Sequence, residues 1–162
     1  DPSATSYKPV IAIFGMGAAM ALAVNWLLTG ALLSVMTAEL FIAISMCLLA
    51  MQKLQDVDGF ATMFLGYDLL AKRWVPYAYL YPFGEGLAGA LMIAHALNWL
   101  SVPIALFIGG VGAISVFYAV YIQKRELKCA CVGGGSNVPL GFVSLTENVM
   151  MFAMGLWMLV VG

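Results

Sequence analysis

Charge is what this sequence has least of. Of 162 residues, 9% are charged, seven Lys or Arg against eight Asp or Glu, where a soluble domain carries about a quarter. No basic stripe is present, so no nucleic-acid partner is expected. Histidine occurs once, which excludes a His/Glu zinc pattern. There is no phosphate-binding glycine loop, no Ser/His/Asp set at useful spacing and no Cys-x-x-Cys. Three cysteines are too few for a disulfide scaffold. Internal repeats and low-complexity segments are missing as well, so the chain reads as one bundle.

What is abundant is apolar surface. The chain is 64% hydrophobic with a mean hydropathy of +0.99, the composition of an integral membrane protein. Five runs approach or exceed the ~20 residues that cross a bilayer: Val10–Leu28, Leu33–Met51, Tyr77–Leu97, Val102–Ile122 and Leu145–Val161. They are apolar on all sides, so length and not periodicity assigns them as helices. Thr29-Gly30 makes the first turn. Small residues four apart (Gly15 and Ala19, Gly86 and Ala90, Gly109 and Ala113) suit close helix contacts in lipid, although ordinary glycine content explains them equally. The first residue is Asp1 and not Met, as expected of a chain processed or cut from something longer.

The loops give an orientation. With five spans, one side collects Lys8, Lys53, Lys72, Arg73, Lys124, Arg125 and Lys128, all seven basic residues of the chain. That bias places the N-terminus in the cytoplasm and the C-terminus in the periplasm of a bacterial inner membrane. Trp74, Tyr77, Tyr79, Tyr81, Tyr118 and Tyr121 would form the cytoplasmic aromatic belt, with Trp26, Trp99 and Trp157 towards the other interface. In the second loop, apolar residues recur at Phe60, Met63, Phe64, Tyr67, Leu70 and Ala71 after Asp58, a candidate N-cap. A short interfacial helix is expected there, as an architectural lid.

Chemistry concentrates at Lys128-Cys129-Ala130-Cys131-Val132-Gly133-Gly134-Gly135, before the last span. Two thiols one residue apart can close a strained disulfide or hold a soft metal as thiolates; two cysteines merely packed at a membrane surface is the plainer reading. Lys128 and Arg125 would favour the thiolate. Cys47 lies six residues before Lys53, ~9 Å below the same end of its helix, either as a small core residue or as a third soft ligand. Glu39, Glu85 and Glu147 interrupt the spans, and acids at membrane depth are paired or functional. Glu85 is open between chemistry and structural hydrogen bonding, Glu147 suits a helix N-terminus, and Glu39 can reach water. His95 reads as an interfacial hydrogen-bonder.

Several of these residues carry a resemblance. Lys53-Leu54-Gln55-Asp56 closing one span, Phe60 and Tyr67, then Pro82 and Glu85 opening the next, are similar to the methylamine-utilisation MauE family and its DoxX-like relatives. Cys129-Ala130-Cys131-Val132-Gly133, Pro139-Leu140, Leu145 and Asn148 resemble that family's loop before its last helix. The resemblance implies a four-helix membrane bundle over residues 33–162, associated with thiol redox chemistry and a thioredoxin-like partner. Residues 1–32 are then a tail and an extra transmembrane helix. Some relatives carry a glutaredoxin-like or heavy-metal-associated domain ahead of such a helix, an arrangement that would place one upstream of Asp1.

The expected fold is therefore an all-α integral membrane protein of five transmembrane helices, a four-helix core plus one N-terminal helix, with a short interfacial helix in the second loop. The expected function is thiol–disulfide exchange, an oxidoreductase chemistry, through Cys129 and Cys131 with a thioredoxin- or glutaredoxin-like partner, with Glu85 as the buried polar group. It requires no resident cofactor, and whether a quinone takes part stays open. The alternative is a soft-metal transporter for Hg or Cu(I), or a metallochaperone receptor, passing the ion from Cys129 and Cys131 to Cys47. A structural subunit of a membrane complex is the third reading.

Overall fold

The structure is a computed structural model that describes residues 7–124 and 141–161. Among these residues all regular structure is helical. Helix α1 spans Lys8–Thr29, α2 Val35–Leu54, α3 Val57–Leu65, α4 Pro76–Ala94, α5 Asn98–Phe117 and α6 Phe142–Val161. A π-helical turn, Tyr118–Ile122, extends α5. Among the described residues, four helices are long and apolar enough to cross a membrane: α1, α2, α5 with its extension, and α6. The five-span count is not confirmed. Helix α4 has 19 residues, but Pro76, Pro82, Tyr77, Tyr79, Tyr81 and Glu85 dilute its apolar character.

The helices form antiparallel neighbours. Helix α1 packs on α2, α2 on α4, α4 on α5 and α5 on α6. The contacts run through small residues, as expected where lipid provides no hydrophobic drive between helices. A Cβ on Gly89 would meet Ala43 O and Cys47 Sγ at 2.9 Å, and one on Gly86 would meet the Ala50 Cβ at 3.3 Å. A Cβ on Gly109 would meet the α6 backbone at Asn148 and Phe152 at 2.8 Å. Gly15 has no such neighbour, and Gly17, beside Ser45, makes the close approach between α1 and α2. Apolar side chains cover the outside, with Leu27 and Val160 about 80% exposed, which suits a lipid solvent.

The α1–α2 turn is closed by its own polar groups. Gly30 ends α1 in the left-handed region at φ 77°, its N–H donating to Trp26 O. Buried Asn25 donates to Ala31 O at 2.7 Å and accepts from Ser34 Oγ at 2.7 Å.

The opposite end departs from the sequence reading in four places. The cap of α3 is Asp56 and not Asp58: its Oδ1 accepts from Gly59 N at 3.0 Å. The amphipathic stretch is not one helix to Ala71, because α3 ends at Leu65 and the chain turns at Gly66. Tyr77 and Tyr81 are not belt residues. Both are buried, packed on Phe64. Lys53 is not a flanking surface charge either; it is 1% exposed.

Candidate functional site

Three helices deliver one charged side chain each to a common point. Lys53 comes from the last turn of α2, Glu85 from the third turn of α4 and Glu147 from the second turn of α6. Lys53 Nζ donates to Glu85 Oε1 at 2.6 Å and to Glu147 Oε1 at 2.7 Å, and exposures are 1%, 0% and 2%. The desolvation cost of such a group is repaid only by close pairing. The glutamate pair answers the lysine, and the antiparallel packing of α4 and α6 on α2 puts them within reach.

Aromatic rings close the triad off. Lys53 Nζ lies 5.0 Å from the centroid of Tyr81 and 5.8 Å from that of Phe60, within cation–π range. Phe60 and Phe64 stack at 4.9 Å, and Phe64 lies 4.8 Å from Tyr81. Helix α3 is thus a lid whose buried face is Phe60, Ala61 and Phe64. Phe60 and Phe64, four residues apart, point the same way from it.

Beyond Glu147, Asn148 accepts from the Tyr81 hydroxyl at 3.3 Å and donates to Ser144 O at 2.8 Å. Gly112 on α5 makes room for it, since a Cβ there would collide with the Asn148 amide. A cavity of about 10 Å³ lies among Lys53, Tyr81, Ser144, Glu147 and Asn148 under the α3 rings, the space of one water. Glu85 Oε2 is buried with no hydrogen-bond partner.

A second buried acid braces the same end. Asp68, in the connection between α3 and α4, accepts from Leu70 N and Ala71 N through Oδ2, while its Oδ1 has no partner. Leu69 N donates to Ser115 Oγ on α5 at 3.0 Å. Burial pushes the Asp68 carboxyl above its usual range, and its backbone hydrogen bonds oppose that only in part.

The other candidates are scattered. Cys129 and Cys131 lie outside the described residues. Cys47 is half-buried against α4, its Sγ 3.9 Å from Gly86 O. Glu39 is at the far end of α2, accepting from Trp157 Nε1 at 2.8 Å. His95 caps α4 in the left-handed region at φ 53° and is exposed. No group of three or more metal-ligating side chains occurs among the described residues.

Sequence reasoning named Glu85 and Glu147 but placed Lys53 among the outward charges. A signal existed: three opposite charges sit near the same ends of three apolar helices. It does not say which of the basic residues turns inward.

The described ends of the Cys129/Cys131 segment both belong to this end of the bundle. Lys124 follows the π-helical turn and Gly141 precedes α6, with Val120 Cγ1 3.7 Å from where a Gly141 Cβ would stand. Within two turns of Gly141 come Ser144, Glu147 and Asn148.

No curated protein and no solved structure matches the chain. One family model, described as Methylamine utilisation protein MauE, matches residues 11–161, from the first turn of α1 to the end of α6. With every charged residue of the triad and all three cysteines inside that match, the chain belongs to the MauE family.

Proposed function

We propose that this MauE-family membrane protein, which the family name associates with methylamine utilisation, performs thiol–disulfide exchange through Cys129 and Cys131 with a thioredoxin- or glutaredoxin-like partner. The observation that carries the reading is the Lys53–Glu85–Glu147 triad, buried where the cysteine-bearing segment leaves and rejoins the bundle. A purely structural membrane subunit gains little from such a group. Apolar residues of the same volume would hold three helices together as well or better.

On this reading the triad is a fixed polar group at the end of the bundle that carries Lys124 and Gly141. An attacking thiolate is favoured by nearby positive charge, which Arg125 and Lys128, close in sequence to the cysteines, would supply. Glu85 and Glu147 hold Lys53 in place, so the triad contributes a fixed, polar group and no net positive charge. The α3 rings keep bulk water from the triad. Neither cysteine needs a resident metal for exchange.

The basic residues favour a cytoplasmic position for this end. Lys72, Arg73 and Lys124 are exposed there, while Lys53 drops out of the count because it is buried. Helix α4 completes the bundle as a fifth crossing of a bacterial inner membrane. Its 19 residues span ~28 Å at 1.5 Å per residue, antiparallel to α2 along Gly86 and Gly89.

The test uses the full chain in lipid nanodiscs with Cys129 and Cys131 oxidised. A thioredoxin-type dithiol protein is added, and thiols are trapped by alkylation and weighed. Wild type and Cys47→Ala should be reduced at the same rate, whereas Cys129→Ser and Cys131→Ser leave no exchangeable pair. Loss of Hg or Cu(I) transport in Cys47→Ala vesicles, with no exchange in wild type, would replace this reading by metal transfer.

A further inference from the structure

Two carboxylates share one ammonium in the sealed end of the bundle. Glu85 Oε1 and Glu147 Oε1 are 2.6 and 2.7 Å from the same Lys53 nitrogen. Lys53 is the one buried cation among the described residues. With both acids ionised the cluster carries one uncompensated negative charge in an enclosure exposed by 2% or less. Charge of that kind in a low-dielectric site is removed by neutralisation more readily than it is tolerated.

Among the described residues, the groups facing the cluster offer no other cation to neutralise it. From α2 the other titratable group on that side is Cys47; from the α3–α4 connection, Tyr67 and Asp68; from α4, Tyr77 and Tyr81. These are neutral or acidic groups. Helix α3 contributes Phe60 and Phe64, α6 contributes Ser144 and Asn148 beside Glu147, and Gly112 of α5 faces Asn148. Glu85 Oε2 meanwhile stands buried without a partner, a carboxylate oxygen with an open position for hydrogen.

We propose that the triad is a proton-binding site, holding one exchangeable proton on the Glu85/Glu147 pair while Lys53 stays charged. A hydronium ion gives up one O–H bond and returns to water as one O–H bond forms on the pair, converting a cluster of charge −1 into a neutral one with no electron moved. The proton belongs to the coupled pair and not to either acid alone. The water-sized cavity beside Glu147, Ser144 and Asn148 gives the pair room for one water with which to exchange it. This holds whether or not the cysteines exchange disulfides; if they do, the site stands ready to supply the proton that a departing thiolate takes up.

The experiment is infrared spectroscopy of the full chain in lipid, reading the carbonyl stretch of protonated carboxyl groups at neutral pH. Asp68→Asn serves as the background, because that buried acid can contribute its own band. In it, one protonated-carboxyl band should remain. Adding Glu85→Gln or Glu147→Gln should each remove it, since the acid that remains pairs one to one with Lys53. Adding Lys53→Met should instead about double it, as both acids then lack a counter-ion. Glu39→Gln should leave it unchanged. Helical circular dichroism checks that each variant is folded. Absence of the band in the Asp68→Asn protein, or its survival in both glutamine variants, overturns the proposal.

Discussion

Lys53 Nζ lies 2.7 Å from Glu147 Oε1, across 94 positions of the chain. The pair joins the second helix to the last, and Glu85 makes it a three-helix tie. Removing the cation leaves two buried acids facing each other, and breaking a buried pair typically costs ~3–5 kcal/mol. Lys53→Met should therefore lower the thermal unfolding midpoint in detergent sharply. The triple variant Lys53→Met, Glu85→Gln, Glu147→Gln should recover much of the loss. Additive losses in the triple variant would mean that the three residues do not act as a unit.

Two glycines with similar sequence surroundings should behave oppositely. Gly112→Ala drives a methyl group into the Asn148 amide and should cost ~1–3 kcal/mol, the range for overpacking. It should also loosen the Tyr81–Asn148 hydrogen bond. Gly15→Ala meets nothing within 4 Å and should be neutral or stabilising by up to ~1 kcal/mol. Parallel denaturation of the two variants decides whether α5 and α6 touch as described.

The lid hangs on its cap. Asp56→Ala removes the acceptor for Gly59 N and should cost ~1 kcal/mol, with faster hydrogen exchange across α3. Asp58→Ala should cost less, since Asp58 is in the first turn but makes no cap. The reverse order would restore Asp58 as the start of the helix.

Asp68 predicts a pH dependence. Its carboxyl binds a proton more readily folded than unfolded, because burial raises its pKa. A group of that kind stabilises the fold below its unfolded pKa and loses that contribution as pH rises through the folded one. Wild-type stability should decline along that arm of the curve, and Asp68→Asn should flatten it. Superimposable pH profiles would show that Asp68 is solvated in the folded protein.

The spans were legible because bilayer thickness sets helix length, and α1, α2, α5 with its π-helical extension, and α6 begin and end within four residues of the apolar runs. Helix α4 was harder, since its tyrosines, prolines and Glu85 serve the interior and weaken the signal for a span. Lys53 was misplaced for a related reason. A basic residue at the end of an apolar helix ordinarily meets water, and only the fold-back of α3 covers it. Tyr77 and Tyr81 look like interfacial anchors for the same reason, until Phe60 and Phe64 pack over them. Glu147 was named as a helix N-terminal acid, but no local pattern shows that its partner is a lysine on another helix.

The most direct measurement is the rate of exchange between the Cys129/Cys131 pair and a thioredoxin-type dithiol protein, compared in wild type and Glu85→Gln. The substitution keeps size and helix and removes one of the two acids on Lys53. If the triad serves the thiols, the folded variant should exchange at least about tenfold more slowly, a barrier change of ~1.4 kcal/mol, with Cys129 and Cys131 still present and oxidisable. An unchanged rate in a folded Glu85→Gln protein would contradict the account, leaving the triad as a structural tie alone.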